Sequence, residues 1–182
     1  MLKPRLLMMI LAAPLLAACG GGDQRQVIQN KGSDTLVNVA QAWAENYREV
    51  NADVAVAVSG GGSGTGIAAM INGTVDIANA SRSMKDKEVE LAKSKGQNPL
   101  EHVVGYDALA VFIHKDNPAD TLGLDQLAQI FGRGGKATNW SDLGIEVPGC
   151  SGGKIVVVSR QNNSGTYAYL RSAVLKPAAE NG

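Results

Sequence analysis

Three times in this chain a β-forming stretch runs into a loop dense in Gly, Ser and Thr, and each loop opens a helix-patterned segment: Gly32 to Thr35, Ser59 to Gly66, and Asn163 to Thr166. Strand, loop and helix in repeated succession restrict the chain to an α/β architecture with parallel pairing and right-handed crossovers. Strands are expected at Val27-Ile28-Gln29, at Val75-Asp76-Ile77-Ala78, from Val103 to Ile113 with a break at Gly105 to Asp107, and from Lys154 to Val158. Val54-Ala55-Val56-Ala57-Val58 is continuously apolar, as a strand covered on both faces would be. Leu36, Val39, Ala40, Trp43 and Tyr47 recur at three- and four-residue spacing, which predicts a helix to about Val50 with Ser33 and Asp34 as cap residues. Further helices are expected over Ile67 to Asn72, Lys85 to Lys95, Asp125 to Phe131 and Thr166 to Val174, with Gly73, Gly96 and Gly132 as stops.

The three loops share a chemistry. The free N–H groups and positive dipole end of a helix point into the loop before it, and glycine lets an oxyanion approach the backbone closely. Ser and Thr hydroxyls donate to such an ion without adding charge, and a guanidinium matches a tetrahedral anion with two parallel bonds. Arg82 and Arg160 each follow a buried β run with a serine before them, the place where site residues gather at strand C-terminal ends. A nucleotide site is disfavoured: no lysine follows these glycines as a phosphate loop requires, and no acidic residue stands where a dinucleotide fold needs one. Ser63 and Ser164 lie in glycine-rich turns, but His102 and His114 are the only histidines; they read as a strand start and a strand end, which disfavours a hydrolase triad, and neither has a second metal ligand at useful spacing. The 17 basic and 17 acidic side chains cancel, so no global field draws the chain to nucleic acid.

The first residues read as targeting. Lys3 and Arg5 precede the apolar stretch from Leu6 to Leu16, which is too short to span a bilayer comfortably, and Ala17 and Ala18 follow. Leu16-Ala17-Ala18-Cys19 resembles the bacterial lipobox, which implies a signal peptide over 1–18, diacylglycerol on Cys19 and a flexible tether over 19–26. Removal of 1–18 leaves 15 basic against 17 acidic side chains, so an anion site must rest on local donors. Cys150 is then the one thiol without a lipid.

Five ordered motifs carry a wider resemblance. Gly32-Ser33-Asp34-Thr35-Leu36, Ser59 to Gly66, Asp76 to Arg82, Leu127 to Phe131 leading to Thr138 to Gly144, and Arg160 followed by Ser164-Gly165-Thr166 resemble PstS-type phosphate-binding proteins, which feed a phosphate ABC importer. The resemblance implies a type II periplasmic-binding-protein fold: two α/β lobes with a hinge, lobe one over 27–106 and lobe two over 107–182, the C-terminal part missing. It implies a phosphate held by Ser33, Thr35, the Leu36 amide, Ser63, Ser81, Arg82, Arg160, Ser164, Gly165 and Thr166. Some members place an Asp where Arg82 stands, to accept the phosphate proton and exclude sulfate; Asp34 is the nearest substitute. The expectation is binding without chemistry, with no cofactor or metal, by a lipid-anchored protein outside the cytoplasmic membrane whose partners are phosphate and the importer's permease and ATPase subunits. A receptor for sulfate or molybdate, a secreted phosphate-ester hydrolase, and a sensor using the same fold are the rival expectations.

Overall fold

Parallel strands cannot be joined by a tight turn, so the helices between them set the architecture of the first half. In the computed structural model, which describes residues 25–176, β1 (Gln26–Gly32) is followed by α1 (Val37–Val50) and β2 (Val54–Ser59). Then come α2 (Ser63–Ile71), β3 (Ile77–Asn79) and α3 (Asp86–Ser94). β1 is the central strand of a parallel sheet in the order β2-β1-β3. Its register sets Lys31 beside Ser59 and Gly32 beside Asn79, so all three strands end on one side of the sheet. The first two Gly/Ser/Thr loops and the Ala80-Ser81-Arg82 turn all leave from that edge.

Asp76 extends the β1–β3 ladder by one step: its carboxylate accepts the Gln29 N–H at 2.8 Å and its own N–H donates to the Gln29 carbonyl at 3.0 Å. Ile67 and Ile71 on α2 close on Ala92 of α3, with Ala80 and Met84 against them. Ile67 is 2% exposed, and burial on this scale contributes roughly 1.5–3 kcal/mol per large aliphatic side chain.

The second half packs separately. α4 (Leu124–Phe131) and α5 (Gly165–Leu170), the latter running on into a π-helical turn over Arg171–Leu175, bury Leu127, Leu170 and Val174 together. Short 3-10 turns at Trp140–Leu143 and Ser151–Gly153 lie between them.

Several expectations need correction. β2 is an edge strand and is only partly covered, because among the described residues nothing pairs beyond it and a single helix packs closely against it. Helix α2 begins four residues early, inside the glycine loop. Helix α1 begins at Val37 with Leu36 as its cap, without a side-chain capping bond, because Asp34 is engaged elsewhere. Neither Val103 to Ile113 nor Lys154 to Val158 forms a paired strand; the one ladder contact there is an isolated Asn139–Lys154 bridge. Apolar β-branched sequence favours an extended backbone, but a strand also needs a neighbour along its length to share its hydrogen bonds; among the described residues the second run meets one only at Lys154 and Ile155, against Thr138 and Asn139. The two runs instead flank a groove of about 950 Å³ lined by Val111, Ile113, Val156, Tyr167 and Leu170, with Phe112 91% and Val158 86% exposed. No helix among the described residues is long and apolar enough to cross a membrane. Residues 1–24, with the signal segment and Cys19, lie outside the described residues, and β1 takes up Gln26 from the end of the expected tether.

Candidate functional site

Three serines from separate loops meet at the C-terminal edge of the sheet. Ser33, just after β1, is 2% exposed and anchors itself by donating its N–H to the Asn79 carbonyl at 2.9 Å. Ser63 is the first residue of α2, its side chain fully buried. Its hydroxyl accepts the Ser81 N–H at 3.1 Å and shares a hydrogen bond with the Ser81 hydroxyl at 3.1 Å. The Ser33 hydroxyl donates to the same Ser81 oxygen at 3.3 Å. A hydroxyl rotates freely and both donates and accepts, so each of the three can turn to an oxyanion without moving the backbone.

Close approach of the loops depends on small residues. A Cβ on Gly66 would run into the Lys31 carbonyl, and one on Gly32 into the Asn79 carbonyl, so α2 and β3 could not lie so near the end of β1. Beneath the serines, Asn79 donates its side-chain amide to Asn30 at 2.6 Å, and Asn30 is 6% exposed. This brace joins two strand ends and was not among the expected site residues.

The second half reaches the same point. Gly165, the first residue of α5, is buried, and a Cβ there would lie 2.7 Å from the Ser63 hydroxyl and closer still to that of Ser81. Ser164 caps α5, its hydroxyl accepting the Tyr167 N–H at 3.4 Å, and is 4% exposed. The N–H groups of Ser63, Gly165 and Thr166, in the first turns of α2 and α5, have no acceptor among the described residues. They are the orphan donors that helix N-termini direct at anions.

Other expected residues stand differently. Arg82 donates both terminal nitrogens to Glu88 at 2.8 Å and also bonds the Ser83 carbonyl at 2.9 Å. Glu88, in the first turn of α3, also accepts the Lys85 N–H at 2.8 Å, so Arg82 is held at the start of α3 and makes no bond to the serine cluster. The Arg82 hydrogen bond holds the Glu88 carboxyl below its ordinary 4.5, against an opposing push from burial. The Leu36 N–H closes a turn onto the Ser33 carbonyl at 3.1 Å, and Thr35 is exposed with its side chain outside the bonded cluster. Asp34 already holds donors on both oxygens: the Gly61 N–H at 2.8 Å on one, the Gln161 amide at 2.9 Å on the other, and Arg160 3.7 Å from the latter. Its carboxylate is thereby held at the Gly61 and Gln161 donors, with a further lone pair left on each oxygen. Arg160 is half-exposed and, among the described residues, makes one side-chain hydrogen bond, to Gln161 at 3.3 Å, which leaves most of its five donors uncommitted there. His102 is exposed, and no group of three metal-ligating side chains occurs among the described residues.

Comparison with known proteins shows the family. The profile of the PBP superfamily domain matches residues 20–181. The chain is 36% identical over 161 residues to Protein SphX of Synechococcus elongatus, covering 87% of this chain and 47% of that one. It is 34% identical to Phosphate-binding protein PstS of Pseudomonas aeruginosa, covering 81% and 48%. Among solved structures, an ABC-type phosphate transport receptor from Vibrio cholerae superposes with a TM-score of 0.62 at 32% identity, covering 81% of this chain and 55% of that one. A candidate phosphate ABC transporter substrate-binding protein from Clostridium perfringens, solved with bound phosphate, superposes with a TM-score of 0.65 at 33% identity, covering 82% and 56%. The chain thus spans about half the length of the curated relatives it matches, and the α/β periplasmic-binding-protein architecture expected from the motifs is the one found.

Proposed function

Because this chain belongs to the PBP superfamily, we propose that it binds inorganic phosphate between two lobes, 27–106 and 107–182, and delivers it to an ABC importer without chemical change. The observation that carries the reading is the meeting of the Ser33, Ser63 and Ser81 hydroxyls with the start of α5 from the other half of the sequence. Hydroxyls and unbonded amides facing one another replace the water shell of a tetrahedral anion, and Arg160 adds charge-assisted bonds from the rim. An ion gripped by both lobes favours the closed arrangement by its differential affinity for it. The relatives' names supply the choice of phosphate: one is a phosphate-binding protein and another structure holds phosphate. Delivery requires permease and ATPase partners. Cys19 in its lipobox-like setting would place the protein on the outer side of the cytoplasmic membrane.

A second reading is favoured by one observation. Among the described residues no carboxylate hydrogen-bonds the Ser33, Ser63 and Ser81 hydroxyls, so no acceptor is placed at the cluster to reject sulfate, and a receptor for another oxyanion is the rival. Calorimetric titration with phosphate and with sulfate separates the two. Arg160→Ala is expected to weaken phosphate binding by at least about tenfold, the loss of a charge-assisted bond worth roughly 1.5–3 kcal/mol. Equal phosphate affinity in the variant counts against Arg160 as a site residue, and tighter sulfate than phosphate binding selects the rival.

A further inference from the structure

The two halves of the chain are tied by a side chain that the proposed binding site does not use. The Asn163 side-chain amide donates to the Gly61 carbonyl at 2.6 Å and to the Thr65 hydroxyl at 3.1 Å, so both its hydrogens are employed. Its backbone carbonyl accepts the Gly64 N–H at 2.9 Å. Thr65 in turn donates its hydroxyl to the Gly61 carbonyl at 2.7 Å, which makes a closed ring of three groups. The glycines are shaped to this residue: a Cβ on Gly62 would sit 2.9 Å from the Asn163 carbonyl oxygen. Since a carbonyl oxygen only accepts, the amide nitrogen is fixed toward Gly61, and an oxygen in its place would face another oxygen.

We propose that Asn163 is the positioning residue of lobe closure, the clasp by which the loop before α5 grips the glycine loop before α2 and so sets Ser164 and Gly165 against the serine hydroxyls. Asn163 is followed directly by the α5 cap, so wherever its amide is held, the first turn of α5 is held too. On the other side, Gly61, Gly64 and Thr65 flank Ser63. One exposed side chain thus fixes the spacing between the hydroxyls contributed by one half and the orphan amides contributed by the other. Gln161 strengthens the tie through Asp34, two residues before the clasp.

For its effect on ligand the inference rests on the phosphate reading; for closure it does not. Asn163→Asp preserves volume and replaces the donor by an acceptor. Amide hydrogen exchange of the segment 60–66 is measured without ligand, and phosphate release by stopped flow. In N163D, exchange across 60–66 is expected to accelerate about tenfold with an unchanged melting curve, and phosphate is expected to leave about tenfold faster. Equal exchange over 60–66 in the two proteins overturns the clasp. Faster exchange in a protein whose wild type gives no phosphate heat supports the clasp and rejects the phosphate reading instead. Asn163→Ala, which keeps the Ser164 cap, gives the same readout should N163D not fold.

Discussion

Gly165→Ala is expected to weaken phosphate binding by about ten- to a hundredfold while leaving the sheet of the first half intact. The methyl group would fall against the hydroxyls of Ser63 and Ser81 and 3.1 Å from the Ser81 carbonyl carbon. Hydroxyls can rotate away, but the backbone behind Ser81 cannot, since its N–H is fixed by Ser63. Overpacking of this kind costs roughly 1–3 kcal/mol, and each 1.4 kcal/mol taken from the closed arrangement divides the apparent affinity by about ten. The helix itself tolerates the change, because alanine is the better helix former. Far-ultraviolet circular dichroism should therefore match the wild type while the calorimetric Kd rises. An unaltered Kd would show that α5 does not close on the serines when ligand binds.

A Cys19→Ala chain is expected to leave the membrane fraction for the soluble one. Diacylglycerol carries two acyl chains, each buried methylene contributing about 0.8 kcal/mol, and two chains are the minimum for stable anchoring. The apolar segment from Leu6 to Leu16 is too short to substitute as a comfortable span. Fractionation of cells expressing either form decides the matter: undiminished membrane partition of the alanine form rejects lipidation at Cys19.

The first half of the fold was legible because each of its elements carries its own signal. Apolar periodicity marks α1, the β-branched run marks β2, and glycines with positive φ at Gly73 and Gly96 end α2 and α3. The second half was misread at Val103 to Ile113 and Lys154 to Val158, where residue preference describes an extended chain but says nothing about a partner for its hydrogen bonds. In the site, Ser33, Ser63 and Ser81 meet one another and the start of α5 at Gly165, while the Ser164 hydroxyl caps that helix. Arg82 is engaged with Glu88 for a local reason. Glu88 lies six residues on, in the first turn of α3, where a carboxylate is favoured by the helix dipole and within reach of the guanidinium. That acidic first turn is visible in the sequence and supplies Arg82 with a local partner. Asp34, expected as a cap or a proton acceptor, meets Gln161 across 127 residues, and Asn163 meets Gly61 across 102; no local pattern encodes such pairings.

In a crystal structure of the protein grown with phosphate, one tetrahedral ion is expected, hydrogen-bonded by the hydroxyls of Ser63 and Ser81 and by the amides of Gly165 and Thr166, with Arg160 turned toward it. An ion bound at an unrelated surface, with Ser33, Ser63 and Ser81 still bonded only to one another at saturating phosphate, would contradict the proposed site.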